Sequence, residues 1–167
     1  MPPTSMRIES TVVKLCPMVR LATDQSVGAQ LDEKLLWEEA LRYLLSSQVQ
    51  FALADAVAQK LVLSGVLRRN EVRDDSFNAR LVALLSEPVL VNGRLRRYRF
   101  PGLAAKRIFA NLQHFCSTRQ SLSNLVYSEA TSDEIRRNLI DQVVGFGPKQ
   151  SSMFLRNIGR TYDSSDY

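Results

Sequence analysis

The amino-acid sequence predicts an all-α fold, with room for one short strand near the N-terminus. Three observations lead there. Apolar residues recur at spacings of three and four along most of the chain, as they do on helices with one buried face. Outside residues 7–15, where RIESTVVKL has the β-branched character of a strand, little in the chain looks extended. Glycines and prolines fall at the edges of the periodic stretches, where they start or stop helices. The 167 residues suffice for one domain with a real core, or for a truncated piece of a two-lobed one.

Residues 1–30 read as an N-terminal segment and 31–167 as a helical domain. The first helix spans Asp32 to Ser47: Leu31, Leu35, Leu36, Ala40, Tyr43 and Leu44 form its stripe, and Asp32 and Glu33 sit in the first turn, where the helix dipole favours acids. Trp37, one turn from Leu41, reads as core. The run SSQVQ is a tight junction to a second helix from Val49 to Leu63, whose stripe is Phe51, Leu53, Ala54, Val57, Ala58 and Leu61 and which stops at Gly65. After a polar stretch at 66–76, a short helix covers 77–86 and ends at Glu87-Pro88, because proline disfavours helix in the residue before it. Asn92-Gly93 marks a turn, and Pro101 opens a helix over 101–115. The Ser/Thr-rich stretch 117–131 has space for one short helix. A further helix starts at Ser132-Asp133-Glu134 and carries Ile135, Leu139, Ile140 and Val143.

Composition excludes several classes of function. No run of about 18 apolar residues crosses a membrane, and MPPTSMRIES lacks the charged-then-apolar pattern of a secretion signal. Cys16 and Cys116 are far apart and form no CxxC. His114 and Cys116 are two residues apart on one helix, so they point in different directions and make a poor metal site. A soluble, cytoplasmic protein is expected. The formal net charge is +5, yet the stretch from Arg68 to Arg107 alone carries +6. Within it, RLRRYRF interleaves Arg94, Arg96, Arg97 and Arg99 with Tyr98 and Phe100, a composition suited to phosphate contacts beside rings that stack on or wedge between bases.

The strongest local signal is VVGFGPKQSSMFLRNIG, Val143 to Gly159. One helix ends, the chain turns through Gly145-Phe146-Gly147, and a second helix opens near Pro148 with Met153, Phe154 and Ile158 on its apolar side. Two glycines around one apolar residue allow a tight turn and a close approach to phosphate, which the free N–H groups of the next helix then face. This is a helix-hairpin-helix, hhGhGxK, over residues 132–159. It is no dinucleotide fingerprint, since no strand precedes it and no third glycine follows. Lys149 admits two readings from spacing. A lysine partly desolvated at a helix N-terminus becomes a neutral nucleophile; a lysine that stays solvated contacts phosphate.

GFGPKQSSMFLRNIG resembles the helix-hairpin-helix of the 8-oxoguanine DNA glycosylase/AP lyase superfamily, most closely its archaeal-type second Ogg branch. Leu44-Leu45-Ser46-Ser47-Gln48 is similar to the junction from which that family contacts the base opposite the lesion. Tyr98-Arg99-Phe100, followed by Ala105-Lys106-Arg107, is similar to the segment that probes and wedges the duplex. The resemblance spans Leu31 to Gly159 and implies an all-α glycosylase-like domain acting on double-stranded DNA with a flipped purine. It implies Lys149 as the Schiff-base nucleophile, Gly145, Phe146 and Gly147 as the phosphate-binding turn, Gln48 as the contact to the estranged base, and Tyr98 or Phe100 as wedge. Arg96, Arg97, Arg99, Lys106 and Arg107 are the expected backbone contacts. No cofactor is implied, because this chemistry uses neither metal nor nucleotide. Members also carry an aspartate downstream of the lysine that helps activate it. Asp166, 17 residues beyond Lys149, is the nearest substitute, and the family's C-terminal segment is otherwise missing, which suggests a shortened chain or a protein partner that completes it. The same hairpin and arginines fit a second reading, a non-catalytic or partner-dependent DNA-binding module such as one in a bacterial defence complex.

Overall fold

The computed structural model of the chain describes residues 30–67 and 75–160, and its elements lie in one compact unit that begins at Leu31. Among these residues are seven helices and one two-stranded hairpin. The strand expected at 7–15, the basic residues Arg68, Arg69 and Arg73, and Asp166 lie outside the described residues. No described helix is long and apolar enough to cross a membrane.

Helix α1, Glu33–Leu45, starts where its acids predict: Asp32 is the cap, its carboxylate accepting the Leu35 N–H at 2.8 Å. It is the central helix. Leu36, Trp37, Ala40, Leu41, Tyr43, Leu44 and Leu45 are all buried, so it is covered on most of its circumference by α2, Phe51–Leu63, and by later helices. Leu35, expected in the stripe, is half exposed instead. The Arg42 guanidinium bridges α1 to α2, donating to Glu38 and Glu39 on its own helix and to Asp55 at 2.6 Å on the other. Helix α2 ends at Ser64, and Gly65 follows in the left-handed conformation, φ +76°, that closes such ends.

Helix α3, Asp75–Ser86, stops just before Glu87-Pro88. Lys60 of α2 reaches across to its C-terminal end, donating to the Leu84 carbonyl at 2.8 Å and pairing with Glu87 at 2.6 Å, where the dipole favours a cation. Next comes an element of which the sequence pattern shows only the turn: β1, Val89–Val91, pairs antiparallel with β2, Arg94–Arg96, through Asn92 and Gly93, both at positive φ. Strands of three residues are too short for a period of two to register.

Helix α4, Pro101–Ser117, buries Ala104, Ala105, Ile108, Asn111, Leu112 and Phe115 along one face. The short helix α5, Leu122–Val126, has its first N–H groups capped from far away in sequence: the Glu33 carboxylate accepts from Leu122 and Ser123, each at 2.9 Å. Helix α6, Ser132–Gln142, opens on a capping box between Thr131 and Glu134. Helix α7, Pro148–Asn157, packs on both α6 and α1, and Phe154 is fully buried between them.

Candidate nucleic-acid interface

The turn between α6 and α7 is built from its two glycines. Val143 leaves the helix, its N–H still bonded to the Leu139 carbonyl, and Gly145 takes φ +98°. A side chain at Gly145 has no space either: a Cβ there would lie 3.0 Å from Arg107 Cδ and 3.0 Å from Leu44 Cδ2. Phe146 turns inward as expected. It is buried, with its ring 5.6 Å from that of Phe154 in an edge-on contact.

Gly147 is extended and caps α7 without a side chain, Pro148 has no N–H, and the Gly147 N–H is taken by Gln150 Oε1 at 3.2 Å. That leaves the backbone N–H groups of Lys149 and Gln150 as the open donors of the first turn, at the positive end of the helix dipole. Lys149 itself is exposed. Of the two readings that spacing leaves open for Lys149, the folded chain by itself has the side chain solvated, on the outer side of the first turn.

The turn is held from the side by a residue that the motif does not include. Asn111 of α4 is fully buried and uses both ends of its amide on one residue: Nδ2 donates to the Val144 carbonyl at 3.0 Å, and Oδ1 accepts the Val144 N–H at 2.7 Å. A signal for it exists in the sequence. Asn111 occupies a buried position of an otherwise apolar stripe, and a polar group there must find a partner.

Helix α4 also brings the basic segment to the turn. Arg107 lies against Gly145 and, with Leu44, Ser47, Gln48, Phe100 and Leu103, lines a small cleft. Gln48 is exposed in the left-handed region, φ +69°, a conformation uncommon for a residue with a side chain. The three blocks singled out in the sequence, Leu44 to Gln48, Tyr98 to Arg107 and Gly145 to Lys149, thus come together through Leu44, Arg107 and Gly145.

The two aromatic residues of RLRRYRF part company. Tyr98 is only 6% exposed, and its hydroxyl donates to the Leu45 carbonyl at 3.1 Å. Burial pushes that hydroxyl above its ordinary range, against an opposing influence from Arg107, so the phenol keeps the proton this bond needs. Tyr98 fixes the segment to the end of α1. Phe100 stays half-buried at the cleft, with the Arg99 guanidinium 5.3 Å from its ring centre. Arg96, Arg97, Arg99 and Lys106 are exposed and Arg107 is half-buried.

A family model described as 8-oxoguanine DNA glycosylase matches residues 19–164 of the chain. No curated protein and no solved structure matches it.

Proposed function

The chain belongs to the 8-oxoguanine DNA glycosylase family, and we propose that it excises 8-oxoguanine from double-stranded DNA and opens the resulting abasic site by Schiff-base chemistry at Lys149. The observation that best supports this reading is the meeting of the glycine turn, the Gln48 junction and the Phe100–Arg107 segment around one cleft.

In this reading the Lys149 and Gln150 N–H groups hold a backbone phosphate next to the lesion, with the glycines allowing its close approach. Arg96, Arg97, Arg99, Lys106 and Arg107 take further phosphates. Phe100, rather than the inward-facing Tyr98, enters the stack, and Gln48 meets the base left behind. The duplex covers Lys149 as it docks, removing the water that keeps the amine charged. The neutral amine then attacks C1′ as the glycosidic bond breaks, and the purine departs with that electron pair and gains a proton. Ring opening gives the Schiff base, and loss of a C2′ proton expels the 3′ phosphate. Asp166 is the carboxylate assigned to the positive charge that develops on the sugar.

The test is strand cleavage of a duplex holding one 8-oxoguanine opposite cytosine. The parent chain is expected to release the base and nick the strand, and Lys149→Gln to do neither while binding the duplex within a few-fold of the parent. A parent chain that binds the duplex but releases no base would replace this reading with that of a DNA-binding module.

A further inference from the structure

Two leucines face each other on the outer side of the β1–β2 hairpin, and the site described above uses neither. Leu90 and Leu95 are directly opposed in the ladder, and they are 67% and 72% exposed. The strand period explains their direction. Val89 is buried where β1 packs on α2, so the residue after it must point away, and its cross-strand partner points the same way. A single exposed leucine is ordinary on any protein surface. Two held side by side by a ladder form a small, fixed apolar patch.

The surroundings of the patch indicate what covers it. From Pro88 to Arg107 the chain has six basic residues and no acid. Arg94, Arg96, Arg97 and Arg99 are exposed, and Arg94, Arg96 and Arg97 form no ion pair with a described residue. The hairpin is also continuous with the candidate interface. Only Arg97 separates β2 from Tyr98, which is bonded to the end of α1, and no glycine interrupts the chain from Arg94 to Phe100 at the cleft. The hairpin is thus joined directly to the segment that lines the cleft.

We propose that the β1–β2 hairpin is a second duplex-contacting element, with Leu90 and Leu95 packed on the apolar faces of deoxyribose and Arg97, just past β2, on a phosphate; Arg94 and Arg96 share the face of Val91 and Val89 instead. The inference rests on the reading of the cleft as a DNA interface. Three residues per strand at about 3.3 Å each cover about 10 Å, the length of about three base pairs at 3.4 Å. The hairpin thus lengthens the footprint on one side of the lesion by about that much.

The test is equilibrium binding to undamaged duplex over a range of salt, comparing the parent with Leu90→Thr/Leu95→Thr, which removes the apolar patch while placing strand-favouring β-branched residues there. The double variant is expected to bind about tenfold more weakly with an unchanged salt slope, since an apolar contact releases no counterions. Trimming three base pairs from the flank that the hairpin covers is expected to weaken the parent more than the variant, which retains only the arginine contact there. Equal affinity of parent and variant on every duplex would overturn the hairpin contact alone. So would a parent dimer in sedimentation that the variant converts to monomer, because the patch would then be a self-association surface. A parent chain that binds no duplex at any salt would overturn the reading of the cleft as well. Thermal melts matching the parent's confirm that a drop in affinity is not a failure to fold.

Discussion

Gly145 carries two constraints at once: a backbone angle that side chains disfavour, and no space for a Cβ, which would lie 3.0 Å from both Arg107 Cδ and Leu44 Cδ2. Gly145→Ala is therefore expected to cost about 1–3 kcal/mol of stability, read from denaturant midpoints, and to lower duplex affinity as the turn shifts. Parent-like stability would mean that Arg107 and Leu44 move aside freely. The glycine pair, Phe146 and Lys149 are legible in the sequence because the hairpin is local: every residue that shapes the turn lies within a few positions of it. Tyr98 is not resolved in the same way. A basic run with two aromatic rings does not say which ring turns inward, and here the answer depends on a carbonyl 53 residues earlier in the chain, that of Leu45. The exposure of Lys149 is equally hidden, since it depends on what packs around the first turn of α7 rather than on the turn's own sequence.

Among the elements, the helices are readable from their ends. Asp32, Gly65, Pro88, Pro101 and Pro148 all mark boundaries that the structure has within a few residues. The β1–β2 hairpin is readable only in its Asn-Gly turn, as its strands are too short to show a pattern. The joint between α4 and the glycine turn leaves a fainter trace, one polar residue in an apolar stripe. Asn111 makes both hydrogen bonds to Val144 at that joint, so Asn111→Ala is expected to strand the Val144 N–H and carbonyl and to cost about 2–4 kcal/mol. Hydrogen exchange at Val144 and Gly145 is the sensitive measurement, and it should quicken more than exchange in the middle of α1. Uniform quickening everywhere would show that the amide supports the whole fold rather than the turn.

On the scale of the whole molecule, the net charge of +5 is modest, and its concentration between Arg68 and Arg107 is what suits a polyanion. The fold turns part of that stretch toward the glycine turn, through Arg107, and leaves Arg96 and Arg97 exposed. Arg96→Ala and Arg97→Ala are each expected to weaken duplex binding and to flatten its dependence on salt by about one unit of slope for each phosphate that is no longer neutralised. An unchanged slope would place both arginines away from the DNA. The proposed activity nevertheless depends most on one bond, between Lys149 Nζ and the sugar C1′ of a damaged nucleotide. Borohydride reduction fixes that bond if it forms. With a duplex carrying 8-oxoguanine opposite cytosine, the parent chain is expected to give a covalent protein–DNA species and Lys149→Gln to give none. A species formed equally by both proteins, or by neither while the parent binds the duplex, would contradict the assignment of Lys149 as the nucleophile.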